Sequence, residues 1–184
     1  MFSGIIEAQA KAALKRRTLE VELPRGWNLK PGASLAVNGA CLTVAGKKGA
    51  KAVFDLSNET RRVTNLGRLG SAAEVNLERP LKWRGRVEGH FVLGHVDGIG
   101  KVRAVKPEKT GTVVTVAYPK RIGRWLRSKG SVAVDGVSLT IGRISRGTLT
   151  LHLIPFTLEA TTLSALHPGS FVNLEADYLA KLQK

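Results

Sequence analysis

The sequence predicts an all-β chain built as two related, small closed barrels. Three observations carry that prediction. Ser34–Val44 (SLAVNGACLTV) aligns with Ser131–Ile141 (SVAVDGVSLTI) at an offset of 97 residues, with six of eleven positions identical. The same offset pairs Thr60 with Thr157, Thr64 with Thr161, Leu66 with Leu163 and Val75–Glu78 with Val172–Glu175, so the chain is an internal repeat. The apolar runs are short and separated by turn residues, and 184 residues with 43% hydrophobic content divide into two units of about 90, a size that suits a barrel of short strands.

Phe2–Glu7 also resembles Val92–Asp97, here at an offset of 90, so the second half carries a seven-residue insertion. The polar, Pro-containing stretch Lys106–Gly111 is its expected place. The domains are read as 1–88 and 89–184, joined near Arg84–Gly89. Along each half, Leu19–Leu23 alternates apolar and polar residues, the mark of a half-buried strand. Leu35–Val37 ends at Asn38-Gly39, and its counterpart ends at Asp135-Gly136. Both dipeptides favour a type I′ turn, in which two successive residues take positive φ, so Ala40–Val44 is expected to return as the next strand. Val53–Leu56 and Val75–Glu78 supply further strands. Short helices are expected over Thr60–Leu69, Arg121–Ser128 and Thr157–Leu166. Closing each sheet removes its free edges.

Charge is the other compositional feature. There are 29 Lys and Arg against 14 Asp and Glu, a formal +15. Residues 1–88 hold 16 and 8 of these, and residues 89–184 hold 13 and 6, so the excess is spread over both halves with no basic tail. Aromatic residues make up 5%, too few for a stacking platform, so a solvated basic surface is expected and nucleic acid is not the expected partner. No apolar run approaches the roughly 20 residues of a spanning helix, and no membrane partner is expected. Met1–Arg17 lacks the apolar core of a secretory signal, and the single cysteine, Cys41, cannot build an intrachain disulfide framework. A cytoplasmic protein is the simplest reading.

Strand alternation puts Cys41 and Thr43 on one face and Leu42 and Val44 on the other. Ser138 and Thr140 occupy the matching face of the second half, opposite Leu139. From pattern alone a lone strand cysteine is more often a small buried hydrophobe than a nucleophile, and its pairing with Ser138 in a duplicated motif raises the functional reading. His90 and His95 lie five residues apart, on opposite faces of an unbulged strand, so they do not form a metal pair, and no metal is expected. Either imidazole fits a structural role, hydrogen-bonded in a turn. Thr157 and its mate Thr60 fit helix N-caps, or exposed helix starts that receive a hydroxylated ligand. There is no phosphate-binding loop, nucleophile elbow or dinucleotide fingerprint.

Taken in order and in duplicate, several segments resemble the riboflavin synthase alpha-chain family over nearly the whole chain. They are Met1-Phe2-x-Gly4-Ile5, Val37–Val44, Glu59-Thr60, Val75–Arg79, Gly94–Asp97, Lys129–Ser131, Asp135–Thr140, Ile154-Pro155-x-Thr157 and Val172–Glu175. The resemblance implies two homologous six-stranded antiparallel Greek-key β-barrels with short helices and a short C-terminal helix. It implies conversion of two molecules of 6,7-dimethyl-8-ribityllumazine into riboflavin and 5-amino-6-ribitylamino-pyrimidinedione by four-carbon transfer, with no cofactor. Two copies of one substrate call for two similar sites. The implied catalytic residues are Cys41 (nucleophilic or polar assistance), His95 (proton transfer), Ser34 and Thr140. Gly4, Ile5, Ile6, Leu42, Thr43, Asp55, Glu59, Thr60, Gly94, Val96, Lys129, Ser138, Leu139, Ile154 and Thr157 would bind substrate.

The chain departs from the family pattern in places. Phe156 stands where His or Glu is common, and Glu88-Gly89-His90 replaces Gly-Gly-His. Tyr178–Lys184 allows at most two helical turns where the family's trimer-packing helix is longer, which weakens the implied homotrimer. The +15 is not explained by an unphosphorylated substrate, and an acidic lumazine synthase shell is one partner that would account for it. The family also holds non-catalytic lumazine- or flavin-binding proteins, an alternative reading. A basic barrel protein that binds nucleic acid is a distant one.

Overall fold

In the computed structural model, which describes residues 1–183, strands and turns follow the repeat. The first half contains β1 (Ala8–Lys15), β2 (Thr18–Glu22), β3 (Ser34–Val37), β4 (Ala40–Lys48), β5 (Lys51–Asp55), α1 (Asn58–Val63) and β6 (Ala73–Glu78). The second contains β7 (Gly98–Glu108), β8 (Gly111–Ala117), β9 (Ser131–Val134), β10 (Val137–Ser145), β11 (Thr148–Leu153), α2 (Pro155–Ala160), β12 (Phe171–Ala176) and α3 (Tyr178–Leu182). Each half closes into a six-stranded barrel of the same order: β1-β2-β5-β4-β3-β6, then β7-β8-β11-β10-β9-β12, with all described pairings antiparallel. Lys184, the end of the second predicted domain and of the tail, lies outside the described residues.

Alternation fills the barrels as the pattern requires. Leu19, Val21, Leu35, Val37, Val44, Phe54 and Leu77 point into the first, and Val114, Val116, Val132, Val134, Ile141, Leu151 and Leu174 into the second. Each such side chain contributes roughly 1.5–3 kcal/mol on burial. The turn prediction holds in detail: φ is 45° and 74° at Asn38-Gly39, and 45° and 82° at Asp135-Gly136. The tips of these two turns meet, and a Cβ on Gly39 would lie 2.6 Å from the Gly136 nitrogen. The insertion is absorbed by lengthening the β7–β8 hairpin, which stays paired out to Glu108 and Gly111.

The helices are shorter than the sequence suggests, and they start earlier. α1 begins at Asn58 because the Ser57 hydroxyl accepts the Thr60 N–H at 3.0 Å, so Thr60 lies inside the helix and is not its cap. α2 begins at Pro155, whose fixed φ suits a first helical position, so Thr157 is likewise internal. Both helices break at extended threonines, Thr64 and Thr161, and a 3₁₀ turn follows each. The stretch predicted as a helix over Arg121–Ser128 is a 3₁₀ segment over Lys120–Trp125.

Two extended straps, residues 1–7 and 90–97, tie the barrels together by exchange. The first strap is clasped to its own barrel by Glu78, whose carboxylate accepts Ser3 N–H at 2.7 Å and Gly4 N–H at 3.0 Å. It then gives the Gly4 carbonyl to the Ser138 N–H of the other barrel at 2.8 Å. The second strap mirrors this. Glu175 accepts Leu93 and Gly94 N–H at 2.8 and 3.0 Å, and the Gly94 carbonyl accepts Cys41 N–H at 2.9 Å. Where the straps cross, Phe2 and Val92 exchange backbone hydrogen bonds of 2.7 and 3.1 Å. Phe2, Val92, Ala36 and Ala133 bury one another there, with Cys41 packed against them.

A buried polar knot closes the opposite side of the joint. The Asn65 amide donates to Asp135 Oδ1 at 2.9 Å and accepts from Asn173 Nδ2 at 2.9 Å. Asn173 Nδ2 also donates to the Asn38 carbonyl, and Asn76 Nδ2 donates to the Asp135 carbonyl. Burial pushes the Asp135 carboxyl up to about 7, against the lowering effect of the Asn173 N–H and the Asn65 amide.

Candidate functional site

The repeat builds two related outer faces, each completed by the other half's strap. On the first barrel, register pairs Ser34 with Thr43 and Ala36 with Cys41, so Ser34, Cys41 and Thr43 share the outward side of β3 and β4. Pairing of Val44 with Phe54 brings Asp55 to the same side, and Glu59 and Thr60 follow on α1. Gly94, His95 and Val96 arrive on the strap. A Cβ on Gly94 would lie 2.5 Å from that of Cys41, so this close approach requires glycine. Val96 packs on the first barrel's core, while the His95 imidazole is exposed.

On the second barrel, Ser131 pairs with Thr140 and Ala133 with Ser138. The Ile141–Leu151 pairing brings His152 beside Thr140, and Ile154 and Thr157 follow. Gly4, Ile5 and Ile6 arrive on the first strap, and Ile6 packs on the second barrel's core. A groove of about 490 Å³ continues this face past Lys129, Gly142, Thr150 and His152.

The structure therefore sorts the predicted residues into two sets. The first holds Ser34, Cys41, Thr43, Asp55, Glu59, Thr60, Gly94, His95 and Val96. The second holds Gly4, Ile5, Ile6, Lys129, Ser138, Thr140, Ile154 and Thr157. Two predicted residues stand apart. Leu42 and Leu139 are 6% and 9% exposed in the barrel cores, so they can meet a ligand on these faces only through backbone atoms. Glu59 is already held by Arg62 through hydrogen bonds of 2.7 to 3.1 Å.

Two residues that the site reading passed over enter the second face. His152 is the repeat mate of Asp55 at the same offset of 97. His90 Nδ1 lies 2.7 Å from Ser138 Oγ, and its Nε2 is buried without a partner among the described residues. Burial holds the His90 pKa below the usual imidazole value, opposed by the negative charge of Asp177, so the ring is neutral near neutral pH. A neutral imidazole in contact with a hydroxyl can take a proton through it. Cys41 is a free, half-buried thiol with no side-chain hydrogen bond among the described residues. The described residues hold no metal-ligand cluster.

Comparison with known proteins adds to this geometry. The family model described as "Lumazine binding domain" matches residues 3–80 and 93–177, one copy per barrel. The riboflavin synthase of Escherichia coli (strain K12) is 37% identical over 185 residues, covering 96% of this chain and 87% of its own. That of Mycobacterium tuberculosis (strain H37Rv) is 38% identical over 191 residues, covering 98% and 95%. Among solved structures, LumP complexed with riboflavin superposes with a TM-score of 0.87 at 24% identity, covering 96% of this chain and 99% of that one. LumP complexed with 6,7-dimethyl-8-(1'-D-ribityl) lumazine gives 0.84 at the same identity and coverage.

Proposed function

The chain belongs to the lumazine-binding domain family, and from that premise we propose that it is a riboflavin synthase. It takes two molecules of 6,7-dimethyl-8-ribityllumazine, moves a four-carbon unit from one to the other, and releases riboflavin and 5-amino-6-ribitylamino-pyrimidinedione. The reaction exchanges atoms between two copies of one compound, so it balances with no external oxidant or reductant. The observation that carries the reading is the doubled face: Cys41 under Gly94 and Ser138 under Gly4, in the same position of two barrels. A reaction between identical molecules needs two equivalent cradles, held so that proximity and orientation replace a bimolecular encounter.

The faces take different roles. On the second, neutral His90 accepts the proton that Ser138 Oγ relays from the C7 methyl of the bound lumazine, and the ring system delocalises the remaining electron pair. On the first, Cys41 or a water beside it adds to C7 of the other lumazine, with His95 on the adjacent strap to hold the displaced proton. Thr43, Asp55 and Thr60 on one side, and Thr140, Ile154, Thr157 and Lys129 on the other, hold ring and ribityl groups. The strap residues Gly4–Ile6 and Gly94–Val96 close over them.

A second reading is a lumazine- or flavin-binding protein without turnover. The observation that favours it is that Cys41 has no hydrogen-bonded base. Incubation with 6,7-dimethyl-8-ribityllumazine separates the two: riboflavin absorbance appears in the first case, and tight binding without product in the second. Assembly belongs to the same proposal. α3 exposes Leu179 and Leu182, a short apolar edge on which a homotrimer would close, measurable by sedimentation. Association with a lumazine synthase shell would show as co-purification at low salt that is lost at high salt.

A further inference from the structure

The linker between the barrels carries a feature that the reaction does not use. Trp83 is 92% exposed, the most exposed of the large apolar side chains in the described chain. It sits in a tight turn in which the Gly85 N–H donates to the Lys82 carbonyl at 2.8 Å and Arg84 takes a φ of 63°. The turn presents its indole outward. Lys82, Arg84 and Arg86 surround it, all exposed and none in an ion pair among the described residues. Met1 is 58% exposed, and its carbonyl accepts the Leu81 N–H at 3.0 Å, which sets it beside the base of the turn. Val87, 42% exposed, leads away from it.

We propose that this turn is a peripheral docking point for an anionic lipid surface. A protruding indole with Lys82, Arg84 and Arg86 beside it, against the single acidic side chain Glu88 of the linker, matches a bilayer interface, where tryptophan sits at headgroup level and Lys and Arg meet anionic headgroups. The chain's even +15 adds long-range attraction to such a surface. A nucleic-acid strand would need a concave basic track with several spaced aromatic rings, and this turn offers one ring on a protrusion. The expectation of no membrane partner rests on the lack of a spanning segment. That lack bears on insertion through the bilayer, and it leaves contact with its surface open.

The test uses the whole chain with vesicles of phosphatidylcholine containing about a third phosphatidylserine, at low salt. Co-sedimentation is expected with these vesicles and not with pure phosphatidylcholine, together with a blue shift in tryptophan emission. W83A should lower the bound fraction roughly tenfold at an unchanged melting temperature. W83F should abolish the blue shift, although Trp27 and Trp125 remain. R84E should weaken binding, and added salt should reverse it. Lumazine binding should be untouched by all three variants. No sedimentation with anionic vesicles overturns the proposal, as does equal binding of W83A and the parent chain. So does an oligonucleotide that quenches Trp83 while vesicles leave it unchanged.

Discussion

The two faces share one backbone and differ in what stands on it. Cys41 and Ser138 occupy equivalent positions, each receiving a carbonyl from the opposite strap at 2.9 and 2.8 Å. Yet the Ser138 hydroxyl is hydrogen-bonded to the half-buried, neutral imidazole of His90, and the Cys41 thiol has no side-chain partner among the described residues. Asp55 on one face faces the choice of His152 on the other, and Asn65, the clasp of the polar knot, has Thr162 as its mate. The repeat supplies two matching faces that carry different side chains, and under the proposed function that difference divides the chemistry between them. A reaction that treats two identical molecules differently needs that division.

The sharpest break of the comparison is at the imidazole. His90→Ala should lower kcat by about 10²-fold, the scale of a lost general base, while Cys41→Ser should cost about tenfold or less. Steady-state assays of the two variants side by side check this. Equal losses would mean that the faces share the proton chemistry.

The clasps come next. Glu78→Ala should release the first strap and spoil the face of Ser138, and Glu175→Ala should release the second and spoil that of Cys41. Each leaves buried N–H groups unpaired and should cost roughly 2–4 kcal/mol in chemical denaturation. Lumazine stoichiometry by calorimetry should fall from two per chain to one in either variant.

Acidity separates the halves more gently. Asp135 holds its proton up to about 7 when folded, whereas its unperturbed carboxyl has a value of 3.8. The folded chain therefore binds more protons between those values, and this contribution to stability is full below 3.8 and is lost as pH rises through about 7. Burial raises Glu78 and Glu175 too, which acts in the same direction. The melting temperature should fall from mildly acidic to mildly alkaline pH. Asp135→Asn keeps an acceptor for Asn65 and Asn173 and matches Asn38, so the fall should become shallower; an unchanged slope would clear Asp135 of the effect.

The smallest effect lies at the helix starts. Arg62→Ala removes the exposed pair with Glu59, which has no equivalent at Phe156, and should change stability by about 0.5 kcal/mol or less.

Much of this was legible in the residues. The repeat at one offset announces two like domains, and Asn38-Gly39 and Asp135-Gly136 signal their turn type through the positive φ that both residues of each pair tolerate. Strand alternation separates Cys41 and Thr43 from Leu42. The strap exchange was not legible, because it rests on backbone bonds between segments far apart in sequence; Gly4 and Gly94, and the repeated Glu78 and Glu175 that clasp the straps, are its traces. His90 was hidden by distance, 48 residues from Ser138, and the signal beside it was Gly89, where a side chain would overlap Ser138. Thr60 and Thr157 were misplaced as caps because Ser57 and Pro155 open those helices one turn sooner. His152 was recoverable from the offset that pairs it with Asp55.

The most direct test of the account is single-turnover mixing of the chain with 6,7-dimethyl-8-ribityllumazine, followed by absorbance. Two molecules bound per chain and one riboflavin formed for every two lumazines consumed is the predicted result. Saturation of both faces with no riboflavin would contradict it, and would leave two matched cradles that bind and do not react.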